Sequence, residues 1–416
     1  MLHPILNRRS LVLSLALAAC LAACATNDEQ VPSEVPGASS LSPEALEDLA
    51  TSFQAALEEA QASAAGGEDN FPGGTAAFLL PDGTLRAFAV GMNDEERGLE
   101  MTPDLLMPSG SIGKTYVGAT ALALAREGRL DLDARIADFF GEEEWFARLP
   151  NGPEITVRHL ATHTSGLIDH AFDSEAFVAE AKKRTDPDDY FEPLELVELV
   201  LDQEPLFAPG AGYDYTDTGF ILLGLVIEKA AGATFYDEVR RLFLDPLGLD
   251  HTVPADRRDV PNVAQGYAHT GAEFFGTPFE MIDAEGRLGL HPLTEWTGGG
   301  FYNNPQSLVR WAKALYEGDA IAGDYVDELV TPVFPESEEV AYGLGQFVAR
   351  TSRGPVYGHS GFFPGYNSRV MYVVDHGFAV ALQINSDTTK VGEHTETLAR
   401  VVIEALEAAG SVQDAA

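Results

Sequence analysis

Apolar residues recur at helical spacing soon after residue 41 of the chain. Ser42, Pro43 and Glu44 form a helix-start signal, with a capping hydroxyl, a proline at the first helical position and an acid in the first turn. Five apolar positions three or four residues apart follow: Leu46, Leu49, Phe53, Leu57 and Ala60. This pattern predicts a helix that buries one face.

Shorter apolar runs near both ends of the chain predict strands. Residues 75–80 and 85–90 flank Pro81-Asp82-Gly83, a combination typical of a β-hairpin. Strand-like runs return at residues 343–349, 370–374 and 378–384, and a last helix is expected from about residue 393 to residue 408.

Helical patterns separated by Gly/Pro turns dominate residues 102–330. Within them, residues 220–227 are apolar on nearly all sides, which predicts a buried helix. Strands at both ends and a helical middle predict a mixed α/β fold of the α+β type. It would hold one antiparallel sheet built from both ends of the chain, with flanking helices and an inserted helical region.

The charge of the chain excludes one class of partner. There are 65 acidic against 26 basic residues, a formal net charge of −39. Such a surface repels phosphate backbones, so nucleic acid is not expected as a partner. The charge is typical of a solvated surface that stays soluble by self-repulsion.

The first 24 residues predict export and lipid attachment. Arg8 and Arg9 precede the apolar run 11–23, which has the length of a signal-peptide core. Leu21-Ala22-Ala23-Cys24 looks like a bacterial lipobox, whose cysteine is acylated after cleavage; the alternative is a plain secretory signal with an incidental cysteine. The expected organisation is therefore a signal peptide at 1–23, a Pro/Ser-rich tether at 24–41 and a catalytic domain at 42–410. This protein would be held in the cell envelope, on the periplasmic or extracellular face, by a lipid on Cys24.

The chemistry is first suggested by Ser111-Ile112-Gly113-Lys114, which matches the pattern S-x-x-K. Positions three apart share a helical face, so Lys114 Nζ can reach Ser111 Oγ. A lysine in a dry cleft can accept the hydroxyl proton. If Ser111 opens the helix, its backbone N–H also points toward an incoming oxyanion. The overlapping Gly113-Lys114-Thr115 resembles the end of a phosphate-binding loop, but Pro108 stands where that loop requires glycine.

Further segments around S-x-x-K come in a characteristic order: 107–115, 127–133, 155–167, 209–210, 213–224, 246–249, 342–345 and 358–361. In this order they resemble the landmarks of the serine β-lactamase-related family, which includes class C β-lactamases, D-Ala-D-Ala carboxypeptidases and S-x-x-K esterases. The resemblance covers roughly residues 46–387. It implies a β-lactamase/transpeptidase-like fold.

The resemblance assigns roles to Tyr215 and Asp217. The family's second catalytic element is Y-x-N, matched here by Tyr215-Thr216-Asp217. Tyr215 would be the general acid or base that moves a proton between Ser111 and the leaving group. Asp217 departs from the pattern, because a carboxylate only accepts hydrogen bonds. Beside Lys114 it would favour the ammonium form and move the proton-accepting role toward Tyr215. The alternative for Asp217 is a helix cap.

The third element is K-T-G in class C β-lactamases and His359-Ser360-Gly361 here. The resemblance implies a strand lining the cleft, with the N–H of Phe362 completing the oxyanion hole and with His359 and Gly361 contacting substrate. A neutral histidine does not hold a substrate carboxylate as an ammonium does, which argues against a dedicated β-lactamase. The alternative is that His359 is a hydrogen-bonded core residue.

Other candidate residues receive structural interpretations. His159 and His163 are four apart but lack the Glu of a metalloprotease motif, so capping and packing are expected of them. Residues 296–300 are expected to bring flexible backbone near the cleft mouth, whereas Asn303 and Asn304 have no explanation.

The sequence thus predicts a serine hydrolase that forms an acyl-enzyme on Ser111 and hydrolyses an ester or an amide, without cofactor or metal. Its substrate would be a small molecule or peptide, as for a carboxylesterase or a D-Ala-type carboxypeptidase or peptidase. The alternatives are a β-lactamase and a non-catalytic penicillin-binding-like scaffold protein.

Overall fold

The computed structural model describes residues 41–64, 66, 70–271, 276–333, 340–388 and 391–414. The predicted signal peptide and the tether up to residue 40 lie outside the described residues. The division into signal peptide, tether and domain therefore stays a prediction.

An eight-stranded antiparallel sheet joins the two ends of the chain, in the order β3-β2-β1-β11-β10-β9-β8-β7. Strand β1 pairs with β2 on one side and with β11 on the other, with Ala77 opposite Ala381. A sheet built from both ends of the chain is confirmed. The strands of the structure, including three outside this sheet, are β1 Gly73–Leu79, β2 Leu85–Asp94, β3 Leu99–Glu100, β4 Met107–Pro108, β5 Thr252–Pro254, β6 Phe301–Asn303, β7 Val340–Tyr342, β8 Phe347–Thr351, β9 Gly354–Phe363, β10 Tyr366–Val373 and β11 Phe378–Ile384.

The helices are mostly short, and long loops separate them. They are α1 Pro43–Ala64, α2 Lys114–Arg126, α3 Ala137–Phe140, α4 Val157–Ala161, α5 Glu175–Ala181, α6 Pro193–Glu198, α7 Asp217–Ala231, α8 Phe235–Val239, α9 Asp245–Leu247, α10 Pro305–Tyr316, α11 Val326–Val330 and α12 Val391–Asp414.

The two faces of the sheet bury different cores, because successive side chains of a strand point to opposite faces. On β1, Ala76 and Phe78 belong to the core under α1 and α12, whereas Ala77 and Leu79 belong to the core shared with the inserted region. The sheet is therefore a middle layer. Its second face supports the helices that carry the candidate site.

The predicted N-terminal helix and hairpin are confirmed. The Ser42 Oγ accepts the N–H of Ala45 at 3.2 Å, and Leu49, Phe53 and Leu57 are buried. The hairpin turn places Gly83 at a φ of 86°, a conformation that favours glycine.

One strand prediction is wrong in its bounds. Residues 343–349 span the turn between β7 and β8, where Gly343 N donates to Gln346 O at 2.9 Å and Gly345 has a φ of 87°. The apolar alternation continued through this turn, so the hydrophobic pattern alone did not mark it.

The inserted region contains a small second sheet of order β4-β6-β5, which the sequence did not predict. Helix α7 contains the predicted run 220–227 and buries all of it except Leu225, which is half-buried. Asn304 caps α10 by accepting Ser307 N at 2.9 Å, and Asn303 Nδ2 donates to Thr252 Oγ1 at 2.8 Å. Both asparagines thus have structural roles.

Across the described residues, no single helix is long and apolar enough to cross a membrane. The pair formed by α7 and residues 235–247, bent by 73°, meets the length and composition criteria only together.

Candidate active site

Ser111 lies in a tight 3₁₀ turn that leads into α2. The turn covers Gly110–Gly113, and the α-helix begins at Lys114, so Ser111 precedes the helix that it was expected to open. Residues three apart eclipse one another in a 3₁₀ turn. This arrangement brings Lys114 Nζ to 3.0 Å from Ser111 Oγ, the contact that the S-x-x-K spacing predicted.

Glycines allow backbone to pack closely around this turn. A Cβ at Gly113 would lie 1.6 Å from Gly299 O, and one at Gly361 would lie 1.8 Å from Ser109 O. The turn is therefore held between the 296–300 segment and strand β9.

Lys114 is fully buried, and each of its three ammonium hydrogens has an acceptor. Its Nζ donates to Ser111 Oγ at 3.0 Å, to Asp217 Oδ1 at 2.5 Å and to Gly298 O. Burial disfavours the charged form, but the carboxylate of Asp217, together with Tyr215, outweighs it and raises the pKa of Lys114 above its ordinary value. The resting state therefore holds an ammonium, not a free amine.

Asp217 is the first residue of α7, and Thr216 occupies the N-cap position before it. The carboxylate bonds Lys114, so the cap interpretation of Asp217 is wrong. Its backbone N–H donates to Asp169 Oδ2 at 2.5 Å, and Asp169 Oδ1 also accepts the N–H groups of Ala171 and Phe172. Asp169 thus fixes the start of α7, a role that the sequence analysis missed.

Tyr215 lies beside this ion pair, with its ring centroid 5.0 Å from Lys114 Nζ. Burial raises the pKa of Tyr215 to about 12, although the neighbouring Lys114 and Ser111 oppose this rise. The ring packs on His163 at a centroid distance of 4.1 Å. Tyr215 is therefore a neutral phenol next to the candidate nucleophile at neutral pH.

His163 and His159 each accept a hydrogen bond from a different backbone N–H. His163 has a φ of 56°, and its Nδ1 accepts Thr216 N at 3.1 Å, which positions the segment carrying Tyr215. His159 Nδ1 accepts Thr156 N at 3.2 Å at the start of α4. The expected capping and packing roles are confirmed.

Strand β9 passes the nucleophile with the edge that β8 leaves unpaired, while its other edge pairs with β10. Strand β8 pairs with β9 only from Gly354 to Gly358, and beyond that point β9 runs along the Ser111 turn. A Cβ at Gly110 would lie 2.6 Å from Phe362 N, so the backbone of Phe362 is next to the turn. Gly361 permits this approach, and Phe362 also lines the cavity described below.

His359 is placed differently from the expectation that it contacts substrate. It is buried and does not line the cavity; its Nε2 lies 2.9 Å from the Tyr342 hydroxyl and its Nδ1 lies 2.5 Å from Ser360 O. A carbonyl only accepts, so Nδ1 carries the hydrogen and Tyr342 donates to Nε2. Burial and the charge of Lys114 lower the pKa of His359 to about 3. The side chain is thus a neutral core residue, as the alternative interpretation had it.

The segment 296–300 is packed at the base of the site rather than at its mouth. Thr297 Oγ1 donates to Phe220 O at 2.8 Å, and Gly298 O accepts from Lys114. The expectation of flexible backbone at the cleft mouth is wrong, because these hydrogen bonds to Phe220 and Lys114 fix the segment.

A cavity of about 630 Å³ opens beside Ser111, Tyr215 and Asp217. Aromatic and apolar side chains line much of its wall: Phe172, Phe177, Phe191, Leu290, Phe362 and Phe363. His170 and Glu295 also line it, and the sequence analysis identified neither. Burial raises the pKa of Glu295 to about 7.

The described residues contain no group of three or more His, Cys, Asp or Glu side chains that could hold a metal ion.

Thr115 is the last residue of Gly113-Lys114-Thr115, the segment that resembles the end of a phosphate-binding loop. Its hydroxyl accepts a hydrogen bond from Trp311 Nε1 at 2.8 Å and donates one to Ile112 O at 2.7 Å. Its hydroxyl therefore faces the protein core and not a phosphate site.

A sheet joined from both chain ends, an inserted helical region and a buried Ser–Lys pair between them are typical of serine hydrolases with the β-lactamase/transpeptidase fold. A family model described as Beta-lactamase matches residues 53–404, so the chain belongs to this family.

Curated relatives include a D-aminopeptidase of Gluconobacter oxydans, 25% identical over 81% of this chain and 60% of its own length. Penicillin-binding protein 4* of Bacillus subtilis is 27% identical over 65% of this chain and 58% of its own length. The chain thus spans about three fifths of these two relatives.

Two solved structures are matched over nearly their whole length. A D-stereospecific amidohydrolase from Streptomyces sp. has a TM-score of 0.70 and 27% identity, over 82% of this chain and 97% of its own. The D-amino acid amidase from Ochrobactrum anthropi SV3 has a TM-score of 0.70 and 25% identity, over 86% of this chain and 99% of its own.

Proposed function

We propose that this chain is an envelope-anchored serine hydrolase that forms an acyl-enzyme on Ser111 and hydrolyses an ester or amide. The observation that supports this most is the 3.0 Å contact between Lys114 Nζ and Ser111 Oγ at the edge of an apolar-walled cavity. Relatives that match over most of the chain include a D-aminopeptidase and a D-amino acid amidase, and an esterase of Burkholderia gladioli is 33% identical over 39% of the chain.

In the first step, Ser111 Oγ attacks the substrate carbonyl, and the Tyr215 oxygen takes the serine proton while the phenol hydrogen of Tyr215 passes to the leaving group. Lys114 stays an ammonium, held by Asp217, and stabilises negative charge that develops on Tyr215 or Ser111. The N–H groups of Ser111 and Phe362 hold the oxyanion. The bond to the protonated leaving group breaks, Tyr215 is again a neutral phenol, and the Ser111 ester remains.

In the second step, water attacks the ester carbon. Tyr215 takes a proton from the water while its own phenol hydrogen passes to Ser111 Oγ, as the bond between Oγ and the acyl carbon breaks. The balance is one ester or amide bond cleaved and one water consumed.

The neutral, buried His359 argues against recognition of a substrate carboxylate at this strand, where class C β-lactamases carry lysine. A β-lactamase or D-Ala-D-Ala carboxypeptidase is therefore less favoured than an esterase, amidase or aminopeptidase.

Two covalent probes separate these possibilities. A fluorophosphonate labels an active serine hydrolase of any of these kinds, and a fluorescent penicillin labels a penicillin-sensitive peptidase. We expect labelling by the fluorophosphonate and not by the penicillin. The Ser111→Ala variant should lose the fluorophosphonate labelling. Labelling by neither would indicate a non-catalytic scaffold, and rapid turnover of the penicillin would indicate a β-lactamase.

The location in the cell envelope rests on the lipobox-like segment ending at Cys24. A lipid on Cys24 would tether the domain to a membrane through the residues that follow.

A further inference from the structure

A loop of the inserted region and the turn between β9 and β10 together form one wall of the cavity beside the candidate nucleophile. Thr270 of the loop and Pro364 of the turn both line the cavity. The loop packs directly on the turn, since a Cβ at Gly271 would lie 2.6 Å from Pro364 Cβ. We call residues 268–271 and 364–365 the loop–turn wall.

One carboxylate holds both parts of the loop–turn wall. Asp387 follows strand β11 and is buried, with 6% exposure. Its Oδ1 accepts the N–H groups of His269 and Thr270 at 2.9 and 3.0 Å. Its Oδ2 accepts those of Gly271 and Gly365 at 2.9 and 3.1 Å. Three consecutive donors of the loop and one donor of the turn therefore share a single side chain.

The four hydrogen bonds of Asp387 require a carboxylate. An ionised carboxylate offers two acceptor oxygens with about four lone-pair sites, whereas an amide has one acceptor oxygen and an NH₂ group that only donates. An asparagine at this position would therefore leave about two of the four backbone N–H groups without an acceptor. Buried backbone donors are rarely left unpaired, because their lost hydration is not replaced. The loop would move away from the turn instead.

The oxyanion donor Phe362 is held independently of these bonds. Strand β10 pairs its Asn367 with Phe362, and the backbone of Phe362 also packs on the 3₁₀ turn of the nucleophile. The start of the loop stays beside the end of β11, since Tyr267 N donates to Asn385 O at 3.1 Å. Loss of the Asp387 bonds would therefore release the loop–turn wall and leave the candidate catalytic groups in place.

We propose that Asp387 is a positioning residue that makes the site prefer a bulky apolar acyl group over a small one. The acyl group stays bonded to Ser111 through both steps of the proposed reaction, so it must fit in the cavity that the loop–turn wall bounds. A phenylalkyl chain can bury apolar surface against a fixed wall, whereas an acetyl group is too short to do so. This inference rests on the proposed function and names a residue that sets its specificity.

The test compares two esters that share a leaving group: p-nitrophenyl 3-phenylpropionate and p-nitrophenyl acetate. For the wild-type protein, we expect kcat/KM for the phenylpropionate to exceed that for the acetate by about 10-fold or more. Burial of a phenyl group is worth roughly this factor.

Asp387→Asn should reduce this preference. We expect it to lower kcat/KM for the phenylpropionate by about 10-fold, mainly through KM, and to change kcat and KM for the acetate by less than about threefold. A higher KM with an unchanged kcat indicates lost binding, whereas a smaller fraction of folded protein would lower kcat equally on both esters.

Gly271→Ala tests the same wall without a change of charge, because its new methyl group would displace the loop from Pro364. We expect the same selective loss on the phenylpropionate, by about threefold or more. Glu396→Gln is the matched control. It removes the ion pair between Arg369 of β10 and Glu396 of α12, 3.1 Å long, and should keep the wild-type ratio between the two esters.

A selective loss in Asp387→Asn, or in Gly271→Ala if the first variant does not fold, supports the proposal. Equal kcat/KM on both esters in the wild type, or an unchanged ratio in the folded variants, would overturn the role of Asp387. Absence of hydrolysis of both esters by the wild type, together with absence of fluorophosphonate labelling at Ser111, would overturn the proposed function instead.

Discussion

A carboxylate at position 217, where the family pattern has an amide, contacts the ammonium of Lys114 at 2.5 Å. Three donors on Nζ and three acceptors around it leave this lysine in its charged form. Burial is the main cause of the raised pKa of Tyr215, and the negative charge of Asp217 raises it further. At the scale of single residues, Asp217 therefore sets which group can take the proton of Ser111.

Replacing Asp217 with Asn should move the acidic limb of the pH–rate profile. Asp217 raises the pKa of both Lys114 and Tyr215, so its neutralisation lowers the pH at which either group loses its proton. We expect the limb for a neutral p-nitrophenyl ester to shift to lower pH by about one unit or more. Steady-state kinetics between pH 6 and 10, on the lower side of this limb, would measure the shift as a higher kcat/KM of the variant at the same pH, and an unchanged profile would contradict the assigned role.

At the scale of elements, the site forms where the 3₁₀ turn of Ser111 is held between strand β9 and the segment 296–300. Close backbone packing does this, through Gly113 against Gly299 and Gly361 against Ser109. The segment 296–300 in turn supplies Gly298 O to Lys114. The position of Lys114 therefore depends on glycines whose side chains take no part in the reaction.

Gly113→Ala tests this dependence. The φ of Gly113 is −57°, which suits any residue, so the cost comes only from the clash of the new methyl group with Gly299 O. We expect a loss of about 1–3 kcal/mol in the free energy of unfolding, as for overpacked cores. We also expect a kcat lowered by about 10-fold or more, because a 1 Å displacement of a catalytic group costs roughly this much.

Gly410→Ala in α12 is the matched control, since a Cβ there meets nothing within 4 Å. Chemical denaturation and ester hydrolysis should show it equal to or slightly more stable than the wild type. Wild-type stability and activity in Gly113→Ala would contradict the packing argument.

At the scale of the whole molecule, the net charge of −39 and the lipobox-like segment lead to the prediction of a solvated domain tethered at its N-terminal end. Cys24→Ala should abolish lipid attachment, and Cys20→Ala, four residues earlier, should preserve it. Intact mass of the mature protein from the membrane fraction measures this directly. We expect the mass of the lipid on the Cys20→Ala protein and not on the Cys24→Ala protein. A wild-type protein without the lipid mass would contradict the prediction of a lipid anchor.

The sheet and the Ser111–Lys114 pair could be predicted because both depend on local patterns, an alternation of apolar residues and a three-residue spacing. Glu295, His170 and Asp169 could not, because long-range packing brings their loops to the nucleophile. His359 shows the same limit. Its partner Tyr342 reaches it across the sheet, and that contact turns an expected substrate ligand into a core residue.

The central claim is that Ser111 carries the acyl group during turnover. Rapid-quench mass spectrometry with a p-nitrophenyl ester of an apolar acid tests it most directly. We predict a transient gain of one acyl mass, located on the peptide that contains Ser111 and absent in Ser111→Ala, with a matching burst of p-nitrophenol. Turnover by Ser111→Ala at the wild-type rate, or acylation of another residue in the wild type, would contradict the account.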